Sequence, residues 1–333
     1  MDSIPIVIAH RGACGYRPEH TRGAYLLAIA MGADAIEPDL VVTKDRVLVI
    51  RHENEISGTT DVASHPEFAD RRSTKTVDGQ KLAGWFTEDF TWKELSTLRA
   101  VERIPKVRKA NRAWDGRDGI LRLADLLQLL DESARRVAMV AEIKHATYFA
   151  SIGLPIDELY AAELAEAGWS DDERLVTECF ELSLLLKVRE RGVGGDLVFL
   201  IDSKGSPQDE VAEHGAKALE YSEYLTSKGL AALATEVDGI SLAKRLVLPK
   251  DADPKTAGAS PLVTAAHAAG LGVFVWTLRA ENKFLGKGLT KGVDAAALGQ
   301  WKREFTAIMR SGVDGVFADQ PDLAIQARSS LIS

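Results

Sequence analysis

Short apolar runs rich in β-branched residues recur along the chain, each breaking into polar sequence and each followed by a helical pattern. This alternation limits the folds open to the chain more than any other feature. The first run, Ile6-Val7-Ile8-Ala9, ends at His10-Arg11-Gly12, and Thr21 then stands as N-cap to a helical stretch over 22–31 with Gly32 just past its end. Further runs follow at 34–39, 46–51, 137–143, 174–179, 197–201, 237–242, 272–276 and 313–318. Between and after them, helices are predicted over 122–135, 157–167, 181–191, 208–219, 261–269 and 299–311, and from Pro321. Strands alternating with helices indicate an α/β fold with a parallel sheet. Because polar residues suited to chemistry stand at strand ends along the whole length, a closed TIM-type (β/α)8 barrel, which brings all such ends to one face, is favoured over a doubly wound sheet. The nine candidate strands exceed a barrel's eight places, and the weak run near 237–242 is the one expected to drop out. A length of 333 residues fits a single barrel domain over 1–333.

The first of these ends are the richest. His10 and His52 each close a β run, and Glu37 and Asp39, two apart on an extended backbone, point to one face. Pro38 lies between them and lacks an N–H, so regular pairing should end near Glu37, with Asp39 on the rim. Each feature also has a structural reading. A strand-end histidine can be a hydrogen-bonded packing residue, a Glu-x-Asp pair can belong to an ion-pair network, and Glu142-x-Lys144 can be an ion pair on one strand face.

Taken together, the stretch HRGACGYRPEHT, the Glu37-x-Asp39 pair followed by Thr43-Lys44-Asp45, and His52 resemble the glycerophosphodiester phosphodiesterases, in particular their bacterial glycerol-metabolism branch. Glu142-Ile143-Lys144, Cys179-Phe180, Trp276-Thr277-Leu278-Arg279 and the run Gly312 to Pro321 extend the resemblance from residue 6 to about 325. It implies a metal-dependent hydrolysis of glycerophosphodiesters to glycerol 3-phosphate and an alcohol on a TIM barrel. His10 and His52 would be the acid/base pair; which is base and which acid stays open in the sequence, with His10 favoured as base and His52 as acid, and the glycerol 2-hydroxyl could attack first to give a cyclic phosphate. Glu37, Asp39 and Glu142 would hold one divalent cation; an all-oxygen donor set suits a hard ion, Mg²⁺ or Ca²⁺, and no zinc-type spacing is present. Arg11 and Lys144 would contact the phosphate, and Trp276 would form an apolar wall against the glycerol carbons.

From Glu53 to about Gly119 the rhythm lapses, which implies an insertion; in the family this region caps the barrel mouth. Trp85, Phe86, Phe90 and Trp92 within it read as a satellite core rather than a ligand box. Glu19 is expected to tie down the first loop, and at Asp319 an N-capping role before the last helix competes with a functional one. Two departures from the family pattern are Glu53, where aspartate is common, and Glu178, where a neutral residue is common.

Net charge bounds the partners. With 41 basic and 49 acidic residues the chain carries −8 and has no Lys/Arg block, which argues against nucleic acid or an anionic membrane surface. No run of eighteen apolar residues would span a bilayer. The opening MDSIPIVIAHRG has no basic segment ahead of an apolar one, so the chain as written is expected in the cytoplasm, or in the periplasm or outside the cell if a native leader was removed. Cys14 and Cys179 are expected as free thiols. The small-molecule diester is the only partner implied, and the sequence sets no oligomeric state. A lipid-acting relative, lysophospholipase D or sphingomyelinase D-like, is the rival reading. A barrel that has lost catalysis is a weaker one, because both histidines and all three carboxylates are kept.

Overall fold

The computed structural model describes residues 4–255 and 258–332; Met1–Ser3, part of the opening stretch read above for a leader, lie outside it. Its strands are β1 (Ile6–His10), β2 (Ala35–Glu37), β3 (Asp39–Val42), β4 (Leu48–Ile50), β5 (Ser73–Val77), β6 (Gln80–Gly84), β7 (Ala138–Ile143), β8 (Leu175–Cys179), β9 (Asp196–Ile201), β10 (Gly239–Ala243), β11 (Gly272–Leu278) and β12 (Gly315–Ala318). Parallel pairing runs β2-β1-β12-β11-β10-β9-β8-β7, and β7 returns to both β2 and β3, closing the barrel.

Two expectations about the strands are corrected. The run near 237–242 is a full barrel strand, β10, paired on both sides. The surplus one is 46–51: among the strands β4 pairs only with β3, antiparallel, with Leu40 opposite Ile50 and Val42 opposite Leu48, and its other edge makes a single bridge to Arg122. Both runs are apolar, so composition could not separate them; the tight Lys44-Asp45-Arg46 turn before β4 leaves no room for a crossover helix, and this marks it as a hairpin return. Pro38 divides one barrel strand without shifting it, since Ala35 pairs Ala138 and Asp39 pairs Glu142 in the same register. The Pro38 carbonyl still accepts from the Glu142 N–H at 2.9 Å, so only the missing proline N–H interrupts the ladder. Several helices are shorter than predicted: 122–135 is Leu123–Asp131, 208–219 is Gln208–His214, and 299–311 is Trp301–Met309.

Strand alternation divides the side chains into two sets. One faces the surrounding helices and forms the main core, with Val7, Ala9, Ile36, Met139 and Ala141 among its members. The other faces the barrel interior, where Ile8, Ala35, Val140 and Phe317 pack with Val176, Phe274 and Trp276. Two residues further along the same inward phase lie His10, Glu37, Glu142, Glu178 and Asp319. The strand period that fills the barrel with apolar side chains therefore delivers the polar ones to its C-terminal mouth.

Between β4 and the helix Leu123–Asp131 the chain leaves the barrel. It carries the β5-β6 hairpin, a separate two-stranded sheet, and short helical turns. Phe86 and Phe90 are buried there, and Phe68 packs edge-on to Phe90 at 5.1 Å; Phe68 and Phe90 belong to the main core and Trp85 and Trp92 pack against it, so the expected satellite core is instead continuous with the barrel's own. Cys14 and Cys179 are buried free thiols. Among the described residues no helix is long and apolar enough to cross a membrane.

Candidate active site

The turn after β1 builds the first wall. Arg11 and Gly12 both take positive φ, +57° and +80°, and a Cβ on Gly12 would lie 2.8 Å from the Ala24 backbone, so only glycine lets the turn pack on the first helix. The turn aims the Arg11 N–H at Glu37 Oε2, 2.7 Å away, and places the Arg11 side chain between Glu19 (3.2 Å) and Asp39 (3.3 Å). Glu19 is also gripped by Arg103 from the inserted region at 2.7 Å, so it ties the first loop down as expected.

Each catalytic candidate rests its Nδ1 on a carboxylate. His10 Nδ1 lies 2.7 Å from Asp319 Oδ1, which leaves Nε2 facing the mouth. Asp319 in turn accepts from Arg108 at 2.5 Å and Arg279 at 2.8 Å. It does not cap the last helix, whose N-cap is Gln320, and is engaged instead with His10, Arg108 and Arg279. His52, brought back to the rim by the antiparallel return of β4, has Nδ1 2.5 Å from Glu53 Oε1 and Nε2 3.2 Å from Lys144 Nζ. Arg103 holds Glu53 as well, at 2.8 Å and 2.5 Å. The departure at Glu53 thus has a role: the longer side chain reaches both the histidine and the cap arginine.

Burial, then the Arg11 charge, lowers His10 to about 4 despite Asp319. Burial, Arg11 and Lys144 lower His52 to about 3, although its side chain keeps 27% of its surface in solvent, which tempers that depression. Both rings are therefore neutral in this state, with Nδ1–H donating to a carboxylate and Nε2 open or accepting.

The acidic side of the mouth holds four carboxylates. Oxygens of Glu37, Glu142 and Glu178 lie within 4.8 Å of one another. Burial, with repulsion from Asp39 and Glu142, pushes Glu37 well above the usual carboxylate range. Burial likewise brings Glu142 up to about 7 against the pull of Lys144, and raises Glu178 with help from Glu142 and Asp39. Asp39 goes the other way: burial would raise it, but Lys144, Arg11 and the hydrogen bond from His20 hold it well below the usual range. His20, which the sequence reading passed over, donates to Asp39 from Nε2 at 2.7 Å and meets Tyr25 Oη at 2.8 Å through Nδ1. Its signal was the polar spacing in PEHT, but nothing in that spacing names Asp39 as its partner. Lys144 lies 2.5 Å from Glu142 and 3.7 Å from Asp39, so the Glu-x-Lys ion pair is real.

Glu37 Oε1, Asp39 Oδ1 and Glu178 Oε2 have no hydrogen-bond partner among the described residues. Buried carboxylate oxygens without a partner are costly unless a cation satisfies them. An oxygen-only donor set fits a hard divalent ion. Of the expected set, Glu37 and Glu142 stand together with Glu178, whereas Asp39 lies beside Glu142 as its strand partner and is held by His20, Arg11 and Lys144. A second grouping, His10, Cys14 and Asp319, does not fit a metal. Both Asp319 oxygens are engaged by His10, Arg108 and Arg279, and burial pushes the Cys14 thiol up.

His10, Arg11, His52, Glu142, Lys144 and Glu178 line one cavity of about 450 Å³, whose apolar side is Phe180, Trp276 and Phe317. Trp276 meets Phe180 edge-on at 5.6 Å and donates from Nε1 to the Ser241 carbonyl at 3.2 Å. The indole is thereby held as a rigid wall, its polar edge satisfied away from the cavity.

Residues 10–323 match the family model described as glycerophosphoryl diester phosphodiesterase family. A glycerophosphodiester phosphodiesterase of Arabidopsis thaliana is 31% identical over 296 residues, 85% of this chain and 77% of that protein. One of Treponema pallidum is 24% identical over 96% of this chain and 91% of its own length. Among solved structures, a putative glycerophosphoryl diester phosphodiesterase from Silicibacter pomeroyi matches with a TM-score of 0.67 at 19% identity, covering 99% of this chain and 95% of that one. A phosphodiesterase of Oleispira antarctica, solved with its product sn-glycerol-3-phosphate, matches at 0.59 and 18% identity, covering 98% and 97%.

Proposed function

The chain belongs to the glycerophosphoryl diester phosphodiesterase family, and from that premise we propose the substrates and the proton transfers of its reaction. It is a phosphoric diester hydrolase that cleaves glycerophosphodiesters to glycerol 3-phosphate and an alcohol. The substrates are small water-soluble diesters such as glycerophosphocholine and glycerophosphoethanolamine. The observation that carries the mechanism is the pair of carboxylate-held histidines, His10 on Asp319 and His52 on Glu53, lining one cavity with Arg11 and Lys144.

His10 is the base. With its proton fixed on Nδ1 by Asp319, Nε2 carries the lone pair that takes a proton from the glycerol 2-hydroxyl in the first step; in the second, His52, neutral once it has protonated the alcohol, takes a proton from water, and His10 returns its own to the 2-oxygen as the cyclic phosphate opens. His52 is the acid for the departing alcohol. It must be charged on Nε2 to act, and the groups that keep it neutral, after burial, are Arg11 and Lys144. A phosphodiester anion bound between those cations cancels their field and draws Lys144 from His52 Nε2, so substrate binding itself raises the His52 pKa toward the working range. Arg11 and Lys144 then stabilise charge that grows on the non-bridging oxygens. Glu37, Asp39 and Glu142 would hold one Mg²⁺ or Ca²⁺, which as a Lewis acid would add to that stabilisation. Trp276 and Phe180 pack against the glycerol carbons and keep bulk water from that side.

Release of glycerol 3-phosphate from glycerophosphocholine and glycerophosphoethanolamine, with and without EDTA and with each ion restored, tests the reading. Metal-dependent release is expected. Cleavage of lysophosphatidylcholine in its place would transfer the assignment to the lipid-acting relatives.

A further inference from the structure

We infer that Glu178 is an additional ligand to the divalent cation, completing a four-carboxylate site with Glu37, Asp39 and Glu142 that selects Ca²⁺ over Mg²⁺. This rests on the metal-dependent reading above and goes beyond its three ligands.

Glu178 is the direct partner of Glu142 across the parallel β7-β8 pair, so both point inward at the same height. Its side chain is buried, with 1% of the residue exposed. Oε2 has no hydrogen-bond partner, and among the described residues no arginine, lysine or histidine forms an ion pair with it. Lys144, the ammonium at this cluster, is spent on Glu142 and Asp39. A carboxylate brought this deep without a counter-charge needs one to be supplied. Glu37, also 1% exposed, likewise has an unpartnered oxygen, Oε1, and one carboxylate oxygen each of Glu37, Glu142 and Glu178 lies within 4.8 Å of the other two. A structural role alone would be served by a glutamine of the same shape.

The ion follows from the ligand count. Mg²⁺ demands a tight octahedron, retains several waters and takes one or two carboxylates, whereas Ca²⁺ accepts six to eight oxygens at longer and more variable distances. Four carboxylates are more than Mg²⁺ takes and match the larger ion.

The test is calorimetric titration of the EDTA-stripped full chain with CaCl₂ and with MgCl₂, for the wild type and Glu178→Gln, with circular dichroism to confirm folding. Wild type should bind Ca²⁺ more tightly than Mg²⁺. Glu178→Gln should lose at least tenfold in Ca²⁺ affinity while Mg²⁺ affinity changes less, which narrows the preference. If the glutamine variant fails to fold, Glu178→Asp carries the same test, because it keeps the charge and shortens the reach; its Ca²⁺ affinity should also fall. Unchanged Ca²⁺ affinity in the folded variant overturns the role of Glu178 and leaves metal dependence standing. A wild type that prefers Mg²⁺ overturns the ion selection. No binding of either ion by wild type overturns the metal-dependent reading and this inference together.

Discussion

Replacing Asp319 by asparagine isolates what the carboxylate does for His10. In the native arrangement Oδ1 accepts from His10 Nδ1–H at 2.7 Å, while Oδ2 accepts from Arg108 and Arg279. An asparagine at this position has one oxygen and one NH₂. Two guanidinium groups require the oxygen, so the NH₂ turns to His10, Nδ1 becomes the acceptor, and the ring proton moves to Nε2. The base is then present in the wrong tautomer. General-base catalysis of this kind is worth roughly 10²–10⁴-fold, so kcat for glycerol 3-phosphate release should fall by about that factor, with KM changed little. Stability should drop by only about 1–3 kcal/mol, because Arg108 keeps Glu281 at 2.7 Å and the side chain of Arg279, 30% exposed, can recover water. Steady-state kinetics across pH together with thermal melts would separate the two effects. A variant that folds normally and keeps kcat within tenfold of wild type would refute the tautomer argument.

The other expectations concern the histidines, the cap and a buried acid. His10→Ala and His52→Ala should each lower kcat by about 10²–10⁴-fold while leaving the melting curve and cation binding near wild type; near-normal turnover in either would remove it from the acid/base pair. Arg103→Ala frees Glu53 and Glu19 at once and so loosens His52; kcat should fall about tenfold, and no change would mean that the cap does not orient the acid. Glu181, 3% exposed, accepts from the Thr147 N–H at 2.9 Å and from the Thr147 hydroxyl, and burial outweighs these bonds to raise its carboxyl from 4.5 to about 7. The folded protein then holds a proton that the unfolded chain releases between those values, so this contribution is fully present below pH 4.5 and is lost as pH rises through about 7. Glu181→Gln, which keeps the acceptor oxygen, should therefore stabilise by about 1–3 kcal/mol at pH 8 and be near neutral at pH 4. Equal melting shifts at both values would contradict this sign.

How much of the site could be read from the sequence depended on whether the partners were local. Glu37 and Asp39 are two apart on an extended backbone, and Glu142 ends an apolar run; period two and strand ends were enough to bring Glu37 and Glu142 into one cluster and to set Asp39 opposite Glu142. The expectation at Pro38 was half right. The proline does interrupt the ladder, but the register continues through it, because the neighbouring strand still finds the Pro38 carbonyl. The surplus strand was misplaced for a similar reason: 46–51 and 237–242 are both apolar, and only the length of the connection before each tells a hairpin from a crossover.

Partners that come from distant strands left no local trace. Asp319 meets His10 across 309 positions and Arg108 across 211, and beside Pro321 its sequence surroundings suggested a helix cap. Glu178 looked like a departure from a neutral position, yet its significance depends on register. A shift of one residue between β7 and β8 would turn it to the helix side, where a buried carboxylate without a partner could not be kept. The observed register places it beside Glu142 instead. The cost of burying that carboxylate and the closure of the barrel are therefore one problem, which the proposed cation at the mouth would resolve. If so, adding Ca²⁺ should raise the melting temperature of the wild type by more than that of Glu178→Gln, since only in the wild type does the ion relieve a fourth buried carboxylate.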